Sequence, residues 1–523
     1  VTVAIAVALT ASVIVPIKRI GSEFMPALYE GELLYMPTTL PGASATKMRE
    51  ILGQTNRVIM TVPEVERVFG KAGRADTATD PAPLTMIESW IALKPKDQWR
   101  SGITVDDITA ELDQRLNMPG LVNSWGYPIK IRMDMVSTGI RTPLGIKVTG
   151  DDLTEIEALA RDIEAVVTGI PGTRSAFADR VLGGRYLDIT PDRAELARRN
   201  IDMGVFQGVV QTALGGMPLA QSVEGRERYD IIARYDRPFR ESPEDFEQIL
   251  VPTPAGAHIP LGELATIAYA EGPPMIRSEN ARLTGWVFVD IEGRDMGGYV
   301  AEARAAVAEA VDLPAGYAVE FAGQYEQLEE ANARLAIAIP AAVALIFLLL
   351  MLHFGRLDRT LIIMASLPFG LIGGLWAVWL AGYNLSVAVA VGFIALGGIA
   401  VETAVIMLLY IDSEVRKAQP QTRTELFAAI SRGAAMRVRP KLMTVLTIFA
   451  GLAPIFLTDG LGSDVMRRIA LPMIGGMAST LLLTLIVIPA IYYIRTGFQL
   501  SARAENNEDS SISLKPSLEG DTQ

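Results

Sequence analysis

VAVAVGFIALGGIAVETAVIMLLYI, residues 387–411, carries a single charge, Glu402, near its middle. At about 1.5 Å of rise per helical residue the run can cross the roughly 30 Å hydrocarbon core of a bilayer. A carboxylate at that depth costs on the order of 2.5–3.5 kcal/mol on insertion scales, so the stretch reads as a membrane helix built around a working acid. Proton or ion exchange is the chemistry such an acid suits. The alternative is a carboxylate satisfied by local Ser, Thr or backbone groups.

Outward from this helix, apolar runs at 335–354, 361–382, 442–457 and 469–493 complete five spans. Pro340, Pro368, Pro454, Pro472 and Pro489 lie in or near them, which is tolerated where neighbouring helices satisfy the freed backbone groups. The pairs Gly373-Gly374, Gly397-Gly398 and Gly475-Gly476 read as close helix contacts. Residues 1–16 have no basic lead or cleavage motif and read as the end of a membrane helix whose beginning is missing. Arg356 and Arg359 mark one cytoplasmic loop, and the basic segment 412–441 marks another. The large segment from Lys18 to Arg334 is then outside, and the polar tail 495–523 is expected to be cytoplasmic and disordered. Lys441 follows Arg437-Val438-Arg439-Pro440 at the mouth of a span. It is either a relay partner of Glu402 or a snorkelling interface anchor.

Composition excludes several classes. The chain has 523 residues, half of them hydrophobic, and a net charge of −12, which argues against a nucleic-acid partner. Cysteine is absent, so there are no disulfides or thiolate sites. His258 and His353 stand far apart and exclude an imidazole cluster. No G-x-x-x-x-G-K-[ST] string occurs, so an ATP-driven pump is not supported. The 20 methionines are the soft metal ligands available.

The outer segment alternates strand-like runs (32–39, 65–69, 85–93) with helical ones (43–60, 104–116), and then repeats the rhythm from residue 144. Val62-Pro63-Glu64-Val65…Phe69 matches Ile170-Pro171-Gly172-Thr173…Phe177, each after a strand and a long helix. The fold class expected is a membrane α-helical bundle plus an α+β domain with ferredoxin-like βαβ repeats, with an insertion beyond residue 189. Met36, Met86 and Met135 lie beside strand-like or turn sequence; converging, they would take Cu(I) or Ag(I), and Glu88 would share a strand face with Met86. Methionine is equally a core gap-filler, and periodicity does not decide between the two.

GSEFMP at 21–26, GELLYMPTTLPG at 31–42, VPEVERVFGKAGRADTATDPAPL at 62–84, GFIALGGIAVE at 392–402, RVRPKLMTV at 437–445 and LPMIGGM at 471–477 together resemble the heavy-metal branch of the resistance–nodulation–division (RND) exporters. They are most similar to its Cus-type copper/silver pumps. The resemblance covers the chain to about residue 494. It implies a proton-driven homotrimer in the bacterial inner membrane, in contact with lipid, that passes Cu(I)/Ag(I) to an outer-membrane channel with a periplasmic adaptor. No cofactor is implied beyond the metal cargo and the proton-motive force. It assigns Met36, Met86, Met135 and Glu88 to the metal cleft and Glu402 and Lys441 to the proton relay. Met466 matches one half of a methionine pair on the metal path, and Met217 matches a path methionine of the docking domain. Arg141 stands where the family has a lysine.

By the same resemblance, residues 17–134 form one periplasmic cleft subdomain, 135–184 with 273–333 a second, 185–272 a docking insertion and 334–494 the five spans. The relay aspartate would belong to a missing N-terminal half. The alternatives are an exporter of divalent metals or of hydrophobic compounds, or a truncated half that binds metal without transporting it. Sparse Phe and Trp between Gly31 and Met135 speak against a hydrophobic cargo.

Overall fold

The computed structural model describes residues 1–512 apart from Ala27, 74–82, Asp459 and Leu461, and of 501–512 only the backbone. Part of the motif at 62–84, two positions before the last helix, and the end of the expected tail lie outside the described residues.

Helices α1 (Thr2–Ser12) and α2 (Ile14–Arg19) lead into the first outer lobe. Its elements are β1 (Glu32–Tyr35), β2 (Thr38–Thr39), α3 (Ala45–Ile59), β3 (Val65–Ala72), β4 (Ile87–Leu93), α4 (Val105–Arg115), β5 (Leu121–Val122), β6 (Trp125–Gly126) and α5 (Pro128–Thr138). The sheet order β3-β4-β1-β6, antiparallel throughout, is ferredoxin-like. Side chains alternate faces along a strand. Leu33, Tyr35 and Ile91 therefore pack with Ile59, Ile108 and Leu112 of α3 and α4. Leu34, Met36, Met86 and Trp90 point the other way and meet Ile131 and Met135 of α5.

The second lobe repeats the plan with β7 (Leu144–Gly150), α6 (Leu153–Thr168) and β8 (Thr173–Ala178). An insertion follows: β9 (Gly184–Pro191), α7 (Arg193–Arg198), α8 (Met203–Val210), β10 (Met217–Glu224), β11 (Glu227–Ala233), α9 (Pro243–Glu247), β12 (Leu250–Pro252), β13 (His258–Pro260) and β14 (Ala265–Gly272). Its stem is the β9–β14 pair, in register from Gly184 opposite Gly272 to Pro191 opposite Ala265. Then β15 (Ser278–Glu279), β16 (Arg282–Ile291), α10 (Met296–Ala310) and β17 (Ala318–Gly323) close the lobe. Strand β16 lies between β7 and β8, and β17 flanks β7, which is the order of the first lobe. The two turns matched in sequence each lead into the second strand, in chain order, of a lobe's main sheet, β3 in the first and β8 in the second. The boundary expected between Asp134 and Met135 falls inside α5, whose backbone hydrogen bonds leave no linker there.

The membrane layer is α11 (Gln324–Phe354), α12 (Leu357–Met364), α13 (Leu367–Leu380), α14 (Val387–Ala418), α15 (Arg423–Leu457) and α16 (Ser463–Ile512). With α12 and α13 taken as one segment and residues 2–19 as another, six helical segments among the described residues are long and apolar enough to cross a membrane. Three expectations change. The span at 361–382 is two helices, broken at 365–366, because Pro368 suits a first turn better than an interior. The basic segment 412–441 is almost wholly helical, so Lys441 lies within α15 and not at its mouth. The last helix continues to Ile512 rather than giving way to a disordered tail at 495; residues 501–512 contain no Gly or Pro to stop it.

Helices α13 and α16 touch backbone to backbone: a Cβ on Gly373 would come within 2.0 Å of the Gly475 carbonyl oxygen. Gly398, expected to pack similarly, meets nothing within 4 Å. Near the inner ends, buried Asp412 of α14 accepts from Arg359 of α12 (2.8 Å), Tyr492 of α16 (3.0 Å) and Arg416. At the outer ends, the strap around Ser22 and Glu23 fastens the two layers. The Ser22 N–H donates to Asp295 at the start of α10 (3.1 Å), and Glu23 accepts from Asn384 (3.0 Å) and pairs with Arg468 of α16.

Glu64 anchors the turn before β3. Its buried carboxylate accepts from Arg100 Nε at 2.6 Å and Nη2 at 2.8 Å, and these hydrogen bonds hold it at about 2, below its ordinary 4.5. An acid depressed on folding stabilises the fold above its ordinary pKa and loses that contribution as pH falls through the folded value. Glu64→Gln should therefore lower the melting temperature at neutral pH. It should also flatten the fall in melting temperature between pH 4.5 and about 2, read by thermal denaturation of the full chain in detergent.

Candidate functional site

The first candidate site lies between the outer face of the first sheet and α5. Met36 directly follows β1, its N–H donating to the Ser124 carbonyl at 2.9 Å. Met86 precedes β4 and bridges to Thr38, which fixes it beside Met36. Met135 occupies the last turn of α5, which ends at Gly139 with φ of 76°. Met36 and Met86 are buried, Met135 half-buried, and all three belong to one apolar cluster with Leu34, Ile131 and Trp90. The fold thus brings together three thioethers separated by up to 99 residues of chain. Met135 sits on a helix, not beside a strand or turn.

Glu88 is buried on the same face of β4 as Met86. It pairs with Lys71 across the strand (3.3 Å) and with Arg132 of α5 (3.8 Å). Arg141, in the connection from α5 to β7, reaches into the cluster from the seam between the lobes. Its Nη1 donates to Met86 Sδ at 3.6 Å and its Nη2 to Thr38 Oγ1 at 2.8 Å, while the guanidinium lies 3.9 Å from the Phe288 ring centroid. Burial pushes this arginine down to about 10. Thioethers with a single carboxylate at their edge are a donor set for a soft, singly charged ion and a poor one for hard divalent ions.

The second candidate site is in the membrane layer. Glu402 of α14, Arg437 and Lys441 of α15 and Thr480 of α16 line one cavity. Lys441 is buried and donates to the Thr480 carbonyl at 3.2 Å and to Thr484 Oγ1. Glu402 makes no ion pair with it: among the described residues the lysine is held by threonines and the carboxylate has no partner. Glu402 is exposed and shares its helix face with Ala395 and Gly398, a stripe of small residues beside the acid. Sequence reasoning missed the two threonines. Their only signal is an i, i+4 spacing of hydroxyls in an apolar run, which places both on one helix face.

Met217 and Met466 join neither site. Met217 opens β10 on the insertion, exposed, with Thr212 Oγ1 donating to its sulfur at 3.7 Å. Met466 lies exposed in the first turn of α16.

The sequence matches the AcrB/AcrD/AcrF family over residues 1–496. It is 47% identical over 487 residues to the cation efflux system protein CusA of Escherichia coli O157:H7, covering 92% of this chain and 47% of that protein. It is 34% identical over 482 residues to the cobalt-zinc-cadmium resistance protein CzcA of Cupriavidus metallidurans, covering 91% of this chain and 45% of that one. A crystal structure of a heavy metal efflux pump superposes with a TM-score of 0.84 at 32% identity, covering 94% of this chain and 50% of that one. The chain spans about half the length of the relatives it matches.

The contrast between the two membrane charges can be measured. Treating the detergent-solubilised chain with dicyclohexylcarbodiimide should modify the peptide carrying Glu402, and Glu402→Gln should abolish that adduct. Lys441, enclosed by Thr480 and Thr484, should resist amine reagents until the chain is unfolded.

Proposed function

The chain belongs to the AcrB/AcrD/AcrF family, within the heavy-metal RND branch, and from that premise we propose that it is the C-terminal half of a proton-driven exporter of Cu(I) and Ag(I). It is a secondary transporter rather than an enzyme. In this reading it works in the bacterial inner membrane as a trimer, and its outer lobes hand metal to an adaptor and an outer-membrane channel. The observation that carries the reading is the convergence of Met36, Met86 and Met135 in one cluster with Glu88 on the same face. CzcA is named for cobalt, zinc and cadmium. Cobalt(II) and zinc(II) take nitrogen and oxygen ligands more readily than neutral thioethers, and all three ions are divalent, so a soft monovalent cargo suits this cleft better.

Proton coupling falls to Glu402 and Lys441. The bare stripe of Ala395, Gly398 and Glu402 would receive a helix of the N-terminal half bearing the third relay group. Protonating Glu402 removes the negative charge at the cavity, and Lys441 would exchange its threonine partners in response. The strap at Ser22 and Glu23, gripping both α10 and α16, would carry such a movement to the outer lobes.

In a full-length context Met36→Ile, Met86→Ile and Met135→Ile should each abolish silver tolerance without loss of expression. Normal tolerance in all three would refute the cleft. Glu402→Gln should silence transport while the purified protein still binds Ag(I), and proton-coupled efflux surviving in that variant would remove Glu402 from the relay.

A further inference from the structure

The methionine cleft already contains a cation. Arg141 spends one N–H on the Met86 sulfur and another on Thr38 Oγ1, stacked on Phe288 of the second lobe. Among the described residues no carboxylate pairs with it, and its Nε is buried without a partner. Glu88, the acid on this face, is engaged by Lys71 and Arg132. The charge of Arg141 is therefore uncompensated. A thioether is a weak acceptor, and the lone pair that Met86 offers the guanidinium is one a soft metal ion would need.

Resting on the methionine cleft as the cargo site, we infer that Arg141 is its selectivity residue: it occupies the Met86 thioether as an internal cation and yields it only to a soft, singly charged ion. Two physical effects combine. A hydrogen bond to sulfur is weak enough to be displaced by a true sulfur–metal bond, so Cu(I) or Ag(I) can evict the guanidinium. Coulomb repulsion scales with the charge of the incoming ion, so a divalent ion meets twice the opposition and gains less from thioethers. Arginine suits the role because its planar fork reaches Thr38 and Met86 together while its face lies on an aromatic ring. A lysine there keeps the charge but not the double reach.

The test is equilibrium dialysis of the full chain in detergent against silver nitrate and against a zinc salt, in chloride-free buffer. Arg141→Gln should bind Ag(I) about tenfold more tightly and Zn(II) more tightly by a larger factor, so that discrimination narrows. Arg141→Lys should bind Ag(I) several-fold more tightly and still exclude Zn(II). A merely structural arginine would instead weaken Ag(I) binding in the Gln variant and leave the Lys variant unchanged, and that pattern overturns the inference. Should Arg141→Gln fail to fold, the Lys variant decides alone, and Ag(I) affinity at or below that of the unaltered chain overturns the inference. Unaltered chain that binds no Ag(I) would overturn the cleft reading itself along with the inference.

Discussion

A charge removed from water must find polar partners, since the penalty for leaving it alone in an apolar interior amounts to several kcal/mol per ion. In this molecule that constraint falls on a few positions, and the architecture follows their solutions. Asp412 is buried where α12, α14 and α16 meet, and it draws an arginine from one helix and a tyrosine from another. Glu64 does the same in the first lobe with Arg100. These are complete arrangements, and they hold elements together. Arg141 and Glu402 are incomplete ones, in that among the described residues the first has a buried donor without an acceptor and the second a carboxylate without a donor. Incomplete satisfaction is where a ligand, a proton or a further helix has something to contribute.

The two sites are built by the same device, a helix laid across a surface that already has its own core. In the outer domain, α3 and α4 take the inner face of the first sheet, and α5 takes the outer one. That leaves methionines, not a second full core, between sheet and helix. In the membrane layer, α13 and α16 close on each other through Gly373 and Gly475, which draws Thr480 and Thr484 within reach of Lys441 on α15. The strap at Ser22 and Glu23 touches both layers, bonding to Asp295 at the start of α10 and pairing with Arg468 of α16.

Much of this was legible in the chain. A span with one acid, a repeated turn before a second strand and a break in rhythm at the insertion each correspond to an observed element. Helix α5 was not legible. Ile129, Ile131, Met133 and Met135 alternate with polar residues as a strand would, yet Pro128 at the first turn and Gly139 in a left-handed conformation make the segment a helix. Its intrinsic pattern is overridden by the face it covers. The boundary of α15 was hidden for a related reason: a basic, proline-containing stretch looks like a loop, but its helix continues because Gly433 can lie against the backbone of α14 at Ile411.

The sequence by itself determined which residues could do chemistry, because residue type and the energy of placing a charge in an apolar run are local properties. It marked Glu402, and it marked methionine as the soft ligand available in a chain without cysteine. Tertiary structure alone decided who meets whom. It joined Met36, Met86 and Met135 between the first sheet and α5, gave Lys441 to threonines rather than to Glu402, and set Arg141 against the Met86 sulfur. Those contacts arise from side chains distant in sequence, through strand order and helix packing that no local periodicity encodes.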